Sequence, residues 1–375
     1  MTPETNIPVA VPDLRGNEAT YLARCIEDNW VSSAGPFVSE MENRVAEISG
    51  TAHGVAVVNG TAGLHLALLA AGVAAGQRVL IPDWTFAATA NAVFHAGAEP
   101  FFADITQQSW TLDPAALEQI LAAPKNRIGA MIAVHALGHP AELNALTAIC
   151  RKAGVALIED AAGALGATYH GRPVGNFGEF AVFSFNGNKT ITAGGGGMIV
   201  TNDGAAADRM RRLSAQARQA SAYRHDEVAY NYRMTNLNAA VGLAQLERLE
   251  EMLAAKRALA AVYDKALAGR PDLAPMPRQD WAESSYWLYA VLCASADDAD
   301  GLVAHLNQRA IGASVFWQSL SAQTPYADCP RQLTGVSHAI SGRVVVLPSS
   351  SSLVPEDQAR VVAALAEWRG SAEVR

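Results

Sequence analysis

The sequence predicts an α/β protein, with a large domain on a mainly parallel sheet and a smaller C-terminal α+β domain. From about residue 54 onward, short apolar runs alternate with amphipathic segments, the rhythm of strand–helix–strand units. After residue 176 that rhythm changes, and a long helical stretch leads into a tail of different spacing. The 375 residues exceed one ordinary core, and a division near residue 250 gives a large domain, 1–250 with an N-terminal arm, and a small one, 251–375.

Residues 55–58, 79–82, 100–102, 130–134 and 155–158 read as buried strands. Between them 61–71, 85–95, 113–121 and 142–153 carry helical spacing, and Asp113-Pro114 is a capped helix start. Residues 179–185 and 198–201 read as strands separated by the loop Gly194-Gly195-Gly196-Gly197. The helical stretch covers 236 to about 267. Beyond a Pro-rich linker at 270–277 come a strand (286–293), a helix (299–309), a strand (344–347) and a final helix (355–368).

Half the residues are apolar and the net charge is −8 with no basic cluster, which argues against a nucleic-acid or anionic-membrane surface. Residues 1–13 lack a basic start followed by an apolar stretch, and no apolar run reaches the ~20 residues of a membrane helix. Cys25, Cys150, Cys293 and Cys329 lie far apart without metal-like spacing, so a cytoplasmic protein with reduced thiols is expected. His135 and His139 straddle a strand end rather than one helix face, so no metal site is expected, and neither a GxSxG elbow nor a GxxxxGK[ST] loop is present.

Of five lysines, Lys125, Lys152, Lys256 and Lys265 stand in polar or helical surface contexts. Lys189 stands between the apolar run 180–185 and the four-glycine loop, a setting that suits a Schiff-base lysine, although by itself it also fits an exposed loop. Asp160 ends a buried strand, where open α/β sheets bind ligands; it either pairs with a protonated pyridine nitrogen or caps the next turn. Asn59-Gly60-Thr61-Ala62 lies at a strand–helix junction, whose exposed N–H groups favour phosphate but whose spelling is common in purely structural turns. Phe86, read as one turn into its helix, offers either a ring for an aromatic cofactor or a core contact, and Ser184 a hydroxyl for the phosphate site. Tyr230-Asn231-Tyr232-Arg233-Met234 reads as an ordered loop or a dimer contact.

These pieces together resemble the DegT family of sugar aminotransferases, most specifically in Ser184-Phe185-Asn186-Gly187-Asn188-Lys189 with the glycine loop, Glu159-Asp160-Ala161-Ala162, and the run from Tyr230 to Asn236. The resemblance implies the aspartate-aminotransferase-like (type I) fold and pyridoxal 5'-phosphate as cofactor. It implies Lys189 as the covalent anchor and proton shuttle, Asp160 as partner of the pyridine nitrogen, and Phe86 stacked on the ring. It implies Gly60, Thr61 and Ser184 as phosphate contacts, and Asn231 reaching the phosphate from the second subunit of a homodimer with shared active sites. Lysine at 189, where the dehydrating branch has histidine, favours amino transfer from L-glutamate to a nucleotide-linked keto sugar.

The Phe-Asn-Gly-Asn-Lys spelling and the all-glycine loop look most like the bacillosamine and legionaminic-acid branch, which implies C4 of a UDP-linked 2-acetamido-4-keto-6-deoxy sugar. The alternatives are GDP-4-keto-6-deoxymannose as in perosamine-type enzymes, a 3-keto sugar, or a non-catalytic binding or regulatory protein. Gly163, Ser314, Gln318 and Ser321 depart from the family pattern of polar or basic residues, which puts the nucleotide contacts in question.

Overall fold

The apolar runs lie side by side in the computed structural model, which describes residues 6–219, 223–371 and 374; residues 1–5, at the start of the segment expected to carry no leader, lie outside the described residues. Eight strands form one sheet in the order His53–Val57, Gly197–Thr201, Phe180–Ser184, Ala156–Asp160, Ile128–Val134, Arg78–Pro82, Glu99–Ala103 and Arg331–Gln332. Every pairing from Phe180–Ser184 to Arg331–Gln332 is parallel, and only Gly197–Thr201 runs against its neighbours. Val79, Leu80, Ile81, Ile132 and Ile158 are fully buried, because helices cover both faces and leave no strand side for water. This is the expected mainly parallel α/β architecture.

Local chemistry starts several helices as expected. Asp113 accepts the Ala115 N–H and precedes Pro114 in the helix Pro114–Ala122. Asn59 accepts the Ala62 N–H and opens the helix Gly60–Ala70 directly after strand His53–Val57. A Cβ on Gly197 would lie 2.8 Å from the carbonyl carbon of Asn59 and 2.9 Å from the nitrogen of Gly60. Glycine there lets the antiparallel strand pass against this junction.

A second sheet is antiparallel throughout, in the order Leu273–Pro275, Tyr289–Cys293, Val344–Leu347 and Ser314–Val315. The N-terminal arm reaches it: the Ile7 N–H donates to Ala310 O (2.8 Å) and the Gly312 N–H to Ile7 O (2.7 Å). The strand Arg331–Gln332 leaves this C-terminal part to complete the edge of the large sheet. Just beyond it, the Asp104 carboxylate accepts four successive backbone N–H groups, Thr334 to Ser337, at 2.6 to 3.0 Å.

Two readings of the sequence are corrected. The helical stretch from 236 is two helices, Asn236–Leu246 and Leu249–Leu267. Arg248 leaves helical geometry (φ −111°, ψ 10°), and its guanidinium bonds Asp13 and Glu251, a tertiary anchor that helical spacing does not reveal. Lys256 is not a surface lysine but 4% exposed, because it shares the buried face of its helix with Met252, Leu253, Leu259 and Ala260. Its ammonium donates to Trp287 O (3.1 Å) and Ser349 O (2.5 Å), and burial pushes it down to about 7.

Two buried imidazoles predict an acid response. His65 and His139 are each 2% exposed, and burial holds both down at about 4 against an ordinary 6.5. The unfolded chain takes up their protons first as pH falls below 6.5, so the stability held at neutral pH is lost progressively toward pH 4. The loss should be on the order of 2–3 kcal/mol per histidine. Urea unfolding at pH 7 and pH 4.5 checks this, with His65→Phe expected to flatten the slope between them.

Candidate active site

The C-terminal ends of the central parallel strands open into a cleft of about 380 Å³, the place where sheets of this kind bind ligands. Gly60, Thr61, Phe86, Asp160, Gly163, Ser184 and Lys189 all line it. Six residues expected to serve one site, plus the departure at Gly163, are thus brought together from segments far apart in the chain. Asn231 is exposed and does not line this cleft.

Strand Ala156–Asp160 delivers two acids to opposite sides, because successive side chains alternate. Glu159 points away from the cleft and is fully buried. It accepts the N–H groups of Gly175 (2.9 Å), Phe177 (2.9 Å) and Gly178 (3.0 Å) and pairs with His135 Nε2 at 3.1 Å. Burial raises its proton affinity, but the His135 and backbone donors outweigh that and leave it below the ordinary value. His135 Nδ1 accepts the Ala141 N–H at 3.1 Å, which leaves the ring proton on Nε2, facing Glu159.

Asp160 points into the cleft. The Thr89 hydroxyl donates to it at 2.7 Å and the Ala162 N–H at 3.2 Å, and Thr85 lies 3.0 Å from Thr89. Burial raises its proton affinity above the usual carboxylate value, against the pull of these donors and of Lys189. Lys189 follows the strand Phe180–Ser184 on a turn closed by its own N–H to Asn186 O (3.0 Å). Its removal from water pushes the amine down to about 7, although Asp160 pulls the other way. An amine so tuned is in large part neutral, and so nucleophilic, at neutral pH.

The phosphate end is equally defined. The helix beginning at Gly60 has no preceding turn to accept its first N–H groups, and its dipole favours an anion there. A Cβ on Gly60 would lie 3.2 Å from that of Ser184, which places the serine hydroxyl beside this helix end. Phe86 is not one turn into its helix: it is the extended residue capping Ala87–His95 (φ −71°, ψ 143°) and is 59% exposed at the cleft. So large an apolar side chain left open in a cleft fits a planar ligand.

Trp287, Phe316 and Trp317, which sequence analysis misses, also line the cleft. Aromatic residues beside short apolar runs carry no signal that separates lining from core. Of the other departures, Ser314 pairs with Val346 between strands and Gln318 accepts the Ser341 hydroxyl at 2.9 Å. Ser321 is buried, with its N–H on Asp83 (2.8 Å) and its hydroxyl 3.2 Å from His338 Nε2. Among the described residues no cluster of metal-ligating groups occurs, and no helix is long and apolar enough to cross a membrane.

A tuned lysine, an opposing buried carboxylate, an exposed ring and a helix N-terminus around one cleft fit pyridoxal phosphate and the class of enzymes that use it. The chain belongs to the DegT/DnrJ/EryC1/StrS aminotransferase family, whose model matches residues 12–366. It is a pyridoxal-phosphate-dependent sugar aminotransferase. It is 38% identical over 365 residues to the GDP-perosamine synthase of Vibrio cholerae, covering 95% of this chain and 97% of that one. The GDP-perosamine synthase of Escherichia coli O157:H7 is 35% identical, covering 93% and 95%. Among solved structures, the sugar aminotransferase CalS13 from Micromonospora echinospora superposes with a TM-score of 0.88 at 30% identity, over 96% of this chain and all of that one.

Proposed function

We infer that the chain transfers an amino group from L-glutamate to C4 of a nucleotide-linked 4-keto-6-deoxy sugar, with GDP-4-keto-6-deoxymannose as the substrate. The convergence of Lys189 and Asp160 on the cleft carries this reading. Similarity to two GDP-perosamine synthases supports the GDP-linked sugar over the UDP-linked one that the Phe-Asn-Gly-Asn-Lys spelling favoured. Asn186, Asn188 and Lys189 line the same cleft as Asp160 and Gly60, so their spelling is a weaker guide to the nucleotide than similarity along the whole chain.

Pyridoxal phosphate supplies the electron sink for the carbanion formed during transfer. Lys189 would anchor it, and once freed its Nζ would hold and move the proton drawn from the amino-acid carbon. Asp160 would pair with its ring nitrogen, Phe86 would lie against the ring, and Gly60, Thr61 and Ser184 would hold its phosphate. Asn231, exposed outside its own cleft, serves the site of a second copy, which makes the working form a homodimer with shared sites. Residues 1–250 form the cofactor-binding domain and 251–375 the small domain in this reading. Incubation with glutamate and either GDP- or UDP-linked 4-keto-6-deoxy sugars, read by mass spectrometry, should show amination of the GDP sugar at least ten times faster. A preference for the UDP sugar would reverse the substrate reading and leave the aminotransferase standing.

A further inference from the structure

Gly163 has no backbone reason to be glycine, since its φ lies outside the left-handed region. Its reason is a neighbour. A Cβ at 163 would sit 2.6 Å from Cε3 of Trp287, 3.0 Å from Cδ2 and 3.3 Å from its Cβ, closer than carbon atoms approach. The indole cannot easily yield. Its Nε1–H donates to Asn188 O at 2.7 Å, and its own carbonyl accepts the buried Lys256 ammonium at 3.1 Å. Two residues earlier, the Ser285 hydroxyl donates to Gly163 O at 2.7 Å and the Ser285 N–H to Gly138 O at 3.2 Å, so both segments are stitched together. On its far side, Trp287 packs against Phe316 and Trp317.

What this pinned ring touches is the reactive amine: Lys189 Nζ lies 3.2 Å from the indole centroid. The ring face lies against the amine and walls off directions in which it could otherwise swing. Nε1 is tied to the residue just before Lys189, so the ring is anchored to the same turn that carries the amine.

We propose that Trp287 is a positioning residue that holds the Lys189 amine in line for proton transfer, and that Gly163 is the socket that seats its indole. The inference rests on Lys189 acting as anchor and proton carrier. It makes position 163 a second handle on catalysis, reached through Trp287 and not through any contact with the amine.

The test is Gly163→Ala, alone and in a Trp287→Leu background. In ligand-free protein, the indole N–H resonance of Trp287, assigned by its loss in Trp287→Phe, should move upfield and exchange faster in Gly163→Ala as its bond to Asn188 breaks. In the loaded protein, the single-turnover rate of bleaching by glutamate should fall at least tenfold with KM changed less than twofold. The isotope effect with glutamate deuterated at the α-carbon should rise. In the Trp287→Leu background, Gly163→Ala should cost less than twofold, because the ring it would strike is gone. An unmoved indole resonance, or an equal cost in both backgrounds, would overturn the proposal. If Trp287→Leu does not fold, the resonance and isotope effect of the single variant decide. Wild-type protein that binds pyridoxal phosphate but never bleaches with glutamate would defeat the functional reading itself, and this inference with it.

Discussion

Lys189→Ala should lower turnover by more than about 10⁴-fold, beyond what the loss of a general acid–base group alone costs. On the proposed reading the variant loses both the covalent anchor and the proton carrier. Lys256 cannot replace it, being buried with its ammonium held by the carbonyls of Trp287 and Ser349. Borohydride reduction followed by mass spectrometry should locate the cofactor on Lys189 in the wild type and nowhere in the variant. Retention of a tenth of the wild-type rate would sink the assignment. A pH profile tests the environment separately. An amine pushed down to about 7 is neutral above that value, so capture of pyridoxal phosphate should plateau above about pH 7. An exposed lysine would keep accelerating toward its ordinary value of 10.5.

Asp160→Asn should lower kcat by roughly 10²–10³-fold, the scale of removing one preorganised electrostatic group from a reaction site. The substitution keeps the shape and removes the charge. Folding should survive, because desolvation already raises the proton affinity of Asp160 and a neutral group there is tolerated. The expected signature is weaker cofactor binding and slower bleaching with glutamate, with unchanged far-UV circular dichroism. Activity within threefold of wild type would mean that Asp160 does no more than cap the turn at Ala162.

Much of this site was legible in the sequence for a plain reason: its residues cluster at strand ends and junctions, and junctions have local signatures. Asp160 ends an apolar run, Gly60 opens a helix after one, and Lys189 precedes a glycine loop. What escaped depends on distant segments. Trp287, just before the strand Tyr289–Cys293, and Lys256, on the helix Leu249–Leu267, look ordinary until packed, and only then does Gly163 read as a socket. The break at Arg248 and the strand Arg331–Gln332 escaped likewise, since each is set by partners more than two hundred residues away. The reading of Phe86 one turn inside its helix fails because periodicity does not fix a helix's first residue, and Phe86 is the residue before Ala87–His95.

The alternation along Ala156–Asp160 puts the reaction chemistry under a kind of reading frame. Both flanking strands pair with it in parallel, Ala133 and Ala181 beside Glu159, Val134 and Val182 beside Asp160. Within that frame one acid ties down the loop at 175–178 and the next serves the cleft. A slip of a single residue would bring Glu159 to the cleft and Ile158 to the loop clamp, or Asp160 to the clamp and Ala161 to the cleft, so one post would lose its acid either way. The count of residues between 156 and 160 is therefore a constraint separate from their packing: Leu157 and Ile158 are buried in the core, and adding or dropping one residue there would also displace the acids.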